Sequence, residues 1–313
     1  MPASLFLSSG DMIADRRFEF ARDLQLKGDL VAAADLLLQA TELAPNFVAA
    51  WFTLGEIRVQ LGLRDEAIAA FRRARASDPD DRHGASLRLM RLGAEPVSDM
   101  PPAYVQVLFD QYAPRFDASL VEDLGYRGPA LLFRAVLSVR TRARKPAFFK
   151  RAIDLGCGTG LAATAFANEV DRFIGIDLSP RMIERARATG LYTELEVADM
   201  VEGLRGKPDA SADLILAADA MVYVSDLAPV LCEVLRVLAS GGLLAFTVET
   251  HSGQHTGGDG VIIGAGLRYA HGEPYVRAQL EAASLELLQC EELSTRNEDN
   301  MPVPGLVVVA TKM

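Results

Sequence analysis

Cysteine is scarce: Cys157, Cys232 and Cys290 are the only three in 313 residues, far apart and odd in number. That spacing offers neither a disulfide framework nor a metal-binding pattern, so a reducing compartment is expected and no metal site. Basic charge is outnumbered too. Lys and Arg total 32 against 42 Asp and Glu, a formal net charge of −10, which argues against nucleic acid or an anionic membrane as the main partner. The longest basic run, "RTRARK" at 140–145, reads as a solvated helix end or as a docking patch for an acidic partner. No run of 18 or more apolar residues is present to form a membrane span. The opening "MPASLFLSSGDMIADRR" lacks the basic n-region of a signal peptide. A cytoplasmic location is therefore expected. Half the residues are apolar and 24% charged, and the length has room for about two domains.

The N-terminal part repeats itself at a shift of 34: Ala33, Leu37, Ala40 and Pro45 align with Ala67, Phe71, Ala74 and Pro79, and Gly28 with Gly62. Small residues let antiparallel helices approach, the glycine permits a tight turn, and the proline stops the second helix. Trp51, Leu54 and Gly55 add to the second copy. This pattern resembles the tetratricopeptide repeat family, with repeats at about 14–47 and 48–81 and a polar-faced closing helix at 82–93. The resemblance implies an all-α domain over 1–95 that presents a concave surface to a peptide or protein partner, or supports an oligomer contact. A helical cap on the rest of the chain is the alternative. The prolines of "AEPVSDMPP", 94–102, mark the boundary.

Beyond residue 150 the pattern alternates. Strands are predicted at "RAIDL", "RFIGID", "TELEVA", "DLILAA", "GLLAFTV", "LELLQCEEL" and "GLVVVAT". Helices are predicted at about 160–169, 180–188, 201–205, 226–238 and 274–284. Such alternation predicts an α/β fold with a seven-stranded, doubly wound sheet. The last two strands, joined only by "STRNEDNMPVP", should pair antiparallel. Ligands on such sheets bind at the carboxyl ends of the strands, near the reversal of strand order.

At the first of those ends stands "AIDLGCGTG", 152–160, where Gly156, Gly158 and Gly160 follow Asp154. The spacing G-x-G-x-G is not the dinucleotide G-x-G-x-x-G, and an ionised Asp154 would repel a pyrophosphate by roughly a few kcal/mol if poorly screened. A ligand with an ammonium and a sulfonium at its near end reverses that sign, and S-adenosylmethionine is one. Asp177 ends the second strand 17 residues after Gly160, where a carboxylate can take both ribose hydroxyls. Leu178 and Met182 are placed to sandwich the adenine, and Asp199 to accept from its amino group. Ala217, Ala218 and Asp219 should face the methionine end and the transferred methyl.

Together "DLGCGTG", "GIDLSPRMIERAR", "ADM" and "LRVLASGGLLAFTVE" resemble the class I S-adenosylmethionine-dependent methyltransferases, closely over 150–250 and loosely over 100–313. The resemblance implies a Rossmann-like methyltransferase domain over 96–313. Its cofactor residues would be Asp154, Gly156, Gly158 and Gly160 around the methionine portion, Asp177 at the ribose, and Asp199 with Met200 at the adenine. "VLFDQYAPRFDASLVEDLGYRGPALL", 107–132, resembles the cap of small-molecule methyltransferases, here over 103–140, with Tyr112 or Phe116 closing over the cofactor. Tyr126 and Arg127, at a turn, are further contact candidates. The whole chain resembles bacterial methyltransferases fused to N-terminal tetratricopeptide repeats. The expected reaction is methyl transfer to a small-molecule acceptor by in-line displacement. One alternative is a protein, peptide or carrier-bound acyl acceptor held by the repeats; another is a non-catalytic repeat module that senses the cofactor.

The reaction alone names no catalytic residue, because a base is needed only when the acceptor keeps its proton. A long glycine-rich segment, 250–273, is the candidate lid. It offers His251, Tyr269 and His271 as catalytic candidates, with a hairpin carrying surface histidines as the alternative. His251 and His255 have helical metal-pair spacing, but the surrounding glycines argue against a helix. Cys157 is expected to pack rather than react.

Overall fold

A computed structural model describes residues 8–116, 125–251 and 260–313, in two compact units, Met1–Val107 and Leu108–Met313. Among the described residues no helix is long and apolar enough to cross a membrane.

The first unit is a stack of antiparallel helices: α1 (Met12–Leu26), α2 (Leu30–Leu43), α3 (Val48–Gln60), α4 (Arg64–Ser77) and α5 (Ala85–Arg91), followed by α6 (Pro102–Tyr112), within which the two units divide. Asp11 starts α1 by accepting from the Ile13 and Ala14 N–H groups at 2.8 and 3.0 Å. Gly28 and Gly62 stand at φ of +83° and +76°, so the equivalent turns of both repeats use the left-handed conformation that only glycine adopts freely. Phe18, Ala33, Leu37, Ala50, Leu54 and Ile57 form the core between the helix pairs. A Cβ on Gly55 would lie 2.6 Å from the Phe71 ring, which is why the second helix pair needs a bare backbone there. The closing helix is shorter than the sequence pattern suggests. Residues 82–84 are used in a turn, with Gly84 at φ +72°, and Asp81 accepts from the N–H groups of Ala85 and Ser86.

In the second unit all seven expected strands form: β1 (Phe149–Leu155), β2 (Val170–Asp177), β3 (Tyr192–Val197), β4 (Ala212–Ala217), β5 (Leu238–Glu249), β8 (Leu285–Glu292) and β11 (Gly305–Lys312). The sheet order is β3-β2-β1-β4-β5-β11-β8. The first five strands run parallel, and β11 pairs antiparallel with both β5 and β8. Helices α7 (Gly128–Arg142), α8 (Leu161–Ala165), α9 (Pro180–Ala188), α10 (Met200–Arg205), α11 (Ala228–Val237) and α12 (Glu273–Ala282) cover it. Two apolar layers result, one around Ile153, Ile215, Leu231 and Phe246, the other around Leu132, Phe166, Leu214 and Val309. The order reverses between β1 and β4, so a crevice opens at their carboxyl ends.

Three departures matter. α8 stops at Ala165, and residues 166–169 turn back toward β2 with Phe166 buried. The β8–β11 connection holds a small ribbon, β9 (Asn297–Glu298) and β10 (Met301–Pro302), reversing through Asp299 and Asn300 at φ of +49° and +61°. The candidate lid contains a hairpin, β6 (Val261–Ile263) and β7 (Tyr269–His271). β7 pairs with β5 at Glu249↔Ala270, beyond the point where β4 ends opposite Phe246. The hairpin thus extends the sheet over the carboxyl end of β4. Residues 252–259 of the lid, including His255, and residues 117–124 of the cap lie outside the described residues.

Gly55→Ala should destabilise the protein by about 1–3 kcal/mol, the usual cost of overpacking a tight helix contact. Urea unfolding would show a lowered midpoint, and Phe71→Leu in the same chain should recover part of the loss.

Candidate active site

The crevice is built around a carboxylate with an unmet need. Asp154 is 1% exposed at the end of β1. Its Oδ2 accepts from the Tyr192 hydroxyl at 2.7 Å, while its buried Oδ1 has no hydrogen-bond partner. Burial pushes the carboxyl up to about 7, against the pull of the Tyr192 hydrogen bond and with the Asp177 charge adding to the rise.

The turn after β1 sets bare backbone beside this carboxylate. Gly156, Gly158 and Gly160 all have positive φ, and a Cβ on Gly156 would lie 2.5 Å from the Ala220 Cβ. The N–H groups of Gly156 and Cys157 donate to the Ile176 carbonyl, tying the turn to β2. Cys157 is buried, and burial beside Asp154 and Asp177 pushes its thiol well up, so it stays a thiol as expected.

Asp177 ends β2 with both oxygens oriented by backbone donors: Gly158 N–H to Oδ2 and Ser179 N–H to Oδ1, each at 2.8 Å. Burial raises its pKa, these two N–H groups oppose the rise, and the Asp110 charge adds to it. Each oxygen keeps acceptor capacity for a further donor. Of the pair singled out for adenine, Leu178 is half-buried and Met182 fully buried, so only Leu178 presents surface. Asp199 is exposed and caps α10 through the Val201 N–H at 2.9 Å, with Met200 half-buried beside it.

Aromatic rings stand over the turn. Phe116 lies 3.7 Å from where a Gly158 Cβ would be, Phe109 packs edge-on to Phe116 at 6.1 Å, and Phe109 packs edge-on to Tyr223 at 5.2 Å. Tyr112 is half-buried on α6.

At the other end, after β4, Ala218 is half-buried and Asp219 stands at φ +52°. The Asp219 carboxylate is fully engaged: it accepts from the hydroxyls of Thr247 and Thr295 at 2.6 and 2.9 Å and pairs with Arg296. Arg296, 6% exposed, also pairs with Glu249 and Glu298, and Arg268 joins the same two glutamates. Burial works against the Arg296 charge, but Asp219 and Glu249 outweigh it and raise its pKa. This cluster fastens the β8–β11 connection to the ends of β4 and β5. Arg127, a contact candidate, serves the same fastening: its backbone N–H donates to the Thr295 carbonyl and its Nε to the Ser294 carbonyl. Tyr126 is half-buried, and its phenol is pushed up by burial first and then by Asp219 and Asp154, with Arg296 opposing. It therefore lies within reach of both ends of the crevice.

The three catalytic candidates separate. Tyr269 and His271 are fully buried, which leaves neither exposed to an acceptor and removes the alternative of a surface histidine for His271. Its Nε2 lies 2.9 Å from the Val224 carbonyl, so that nitrogen carries the proton, and burial pushes the ring down to about 4, leaving it neutral. Only His251 presents surface, with Nε2 at 3.2 Å from the Gly260 carbonyl. Tyr192, Asp110, Phe109, Glu249 and Arg296 are the site residues that sequence reasoning missed. A lone Arg inside the polar run "STRNEDN" was the one visible hint.

The parallel sheet, its crevice and the anionic cradle define a Rossmann-like methyltransferase. A methyltransferase-domain family model matches residues 153–246, and a tetratricopeptide-repeat model matches residues 24–89. Methyltransferase-like protein 27 of Homo sapiens is 32% identical over 174 residues, covering 54% of this chain and 68% of that protein. The ubiquinone biosynthesis O-methyltransferase of Xylella fastidiosa is 32% identical over 104 residues, and the chain spans 42% of its length. In fold, the second unit is similar to the 1,6-didemethyltoxoflavin-N1-methyltransferase of Burkholderia thailandensis, solved with S-adenosylhomocysteine. That likeness has a TM-score of 0.50 at 18% identity over 70% of this chain and 92% of that one. The chain belongs to the S-adenosylmethionine-dependent methyltransferases, and S-adenosylmethionine is its cofactor.

Arg296→Ala should cost about 3–5 kcal/mol in urea unfolding, because it strands buried carboxylates. Adding Asp219→Asn to that variant should cost less than the same change in the wild type, the mark of a direct pair.

Proposed function

We propose that this chain methylates a small-molecule acceptor held between the glycine turn and the Arg296 cluster. The observation that carries the reading is Asp154: a buried carboxylate whose partnerless oxygen stands beside a turn of bare backbone. That combination suits a cationic, phosphate-free ligand and would be hostile to a pyrophosphate. When bound, S-adenosylmethionine supplies a methyl group made electrophilic by positive sulfur.

The chain's own residues then have separate tasks. Asp154 balances the ammonium, Asp177 takes the ribose hydroxyls, and Leu178 and Asp199 receive the adenine. Phe109 and Phe116 keep water from the turn. The hydroxyls of Tyr126 and Tyr223, both half-buried, serve as donors to the acceptor. Both phenols are raised by burial, so they stay protonated. Asp219 and Glu249, committed to guanidinium groups, are poor bases. His251 is the candidate base for an acceptor that carries a proton. A second reading, an acceptor presented by a macromolecule, is favoured by the exposed apolar side chains Ile13, Phe20, Leu26 and Val31 on the first helix pair.

Incubating the purified chain with cell extract and deuterated methyl donor should label the small-molecule fraction. Label confined to protein would move the reading to the macromolecular acceptor, and label in neither fraction would reject transfer. Calorimetry should show S-adenosylhomocysteine binding that Asp177→Ala weakens by about 1.5–3 kcal/mol, the range for hydrogen bonds to a charged group.

Asp154 adds a pH signature. Its carboxyl titrates at about 7 in the folded chain against 3.8 for an unperturbed aspartate. The folded state therefore holds the extra proton between those values, and stability falls as pH rises through that window. The ligand's ammonium, which S-adenosylhomocysteine keeps, favours the ionised form. S-adenosylhomocysteine binding at pH 6 should release close to one proton, and affinity should rise about fivefold from pH 6 to 7. Calorimetry in buffers of different ionisation enthalpy would detect the proton, and Asp154→Asn should abolish its release.

A further inference from the structure

Asp110 is a carboxylate near the crevice that neither the proposed chemistry nor the Arg296 cluster uses. It sits on α6 within the segment Leu108–Phe116 of the second unit. Its Oδ1 accepts from the Ser179 hydroxyl at 2.6 Å and from the Arg181 backbone N–H at 3.4 Å, and its carbonyl accepts from Arg181 Nη1 at 3.3 Å. Ser179 is fully buried and faces two ways. Its hydroxyl oxygen caps α9 by accepting from the Met182 N–H at 3.1 Å, and its backbone N–H donates to Asp177 Oδ1 at 2.8 Å.

Ser179 takes the Met182 N–H of α9 and Asp110 takes the Arg181 N–H, so both serve the helix end. The Ser179 hydroxyl also ties this second anion to the residue whose N–H holds Asp177, although like charges there cost energy. The same segment also reaches the other side of Asp177: Phe116 lies against Gly158, whose N–H holds Asp177 Oδ2. One short stretch of chain thus abuts both donors that orient the Asp177 carboxylate.

We propose that Asp110 is a positioning residue for the cofactor: through Ser179 it fixes the plane of the Asp177 carboxylate and ties the aromatic segment Leu108–Phe116 to the ribose site. This rests on the reading of Asp177 as the ribose ligand. The groups that face Asp177 are Asp110 from α6, Asp154 from β1, Cys157 from the turn and Tyr192 from β3, while the Arg181 cation of α9 is held by Asp110. Only Asp110 among them can be neutralised without touching the cradle.

The test is calorimetric binding of S-adenosylhomocysteine to the full chain across pH, with Asp110→Ala and Asp110→Asn. Asp110→Ala should weaken binding about tenfold at neutral pH. Asp110→Asn keeps an acceptor oxygen and should restore most of that affinity. It should also move the acid limb due to Asp177 to lower pH, because a like charge has gone, while leaving the limb due to Asp154 in place. A role confined to packing would not move a pH limb. Should Asp110→Ala fail to fold, as judged by circular dichroism, the Asn variant still decides: an unshifted acid limb overturns the proposal. Affinities of both variants within twofold of wild type, with unchanged pH profiles, overturn it as well. A wild-type chain that binds no S-adenosylhomocysteine would overturn the ribose reading and this inference with it, whereas indifferent variants of a binding wild type overturn this inference alone.

Discussion

Burying the Asp154 carboxylate with one oxygen unpaired imposes the condition that the rest of the crevice answers. A buried acceptor without a donor costs on the order of 1–3 kcal/mol, and more when charged. The fold limits that cost by raising the carboxyl to about 7 and by lending it the Tyr192 hydroxyl. Neighbouring features follow from the same condition. The three glycines take the positive φ that the turn requires, Ala220 is small enough to lie beside Gly156, and Cys157 stays an uncharged thiol.

The two ends of the crevice solve opposite electrostatic problems. Beside the glycine turn, Asp154 and Asp177 are oriented by uncharged donors, a phenol and two backbone N–H groups, so neither is matched there by a cation of the chain. At the acceptor end, Asp219 and Glu249 are matched by Arg296 and Arg268 inside the protein. Those charges act on the fold, pinning the β8–β11 connection and, through Glu249, the strand beside the β6–β7 hairpin. In the proposed reading, the nucleophile meets the methyl group beside the half-buried phenols of Tyr126 and Tyr223.

Much of the fold was legible because its signals are local. Each buried strand is a short apolar run bounded by turn residues, and α9 was delimited to the residue by Ser179-Pro180 at its start. The repeat was legible because two copies agree at glycine and small-residue positions. The misreadings came from burial that no local pattern announces. His271 lies in a glycine-rich, polar stretch, yet the hairpin takes the edge of β5 that β4 vacates, and this carries the imidazole into the interior against Val224. Met182 looked available to a ligand because it follows Leu178 at helical spacing, but it faces the core.

The amino-acid sequence alone determined the alternation that makes a parallel sheet, the repeat that makes a helical stack, and the pairing of a carboxylate with bare glycines that calls for a cationic cofactor. These depend on residues within a turn or a strand of each other. Tertiary structure decided which carboxylates keep their charge for a ligand and which spend it on the fold. Asp154 meets Tyr192 across 38 residues, Asp110 meets Ser179 across 69 and Asp219 meets Arg296 across 77. The availability of a charged group is set by whatever the folded chain brings within hydrogen-bond reach, and neighbours that distant leave no mark on local periodicity.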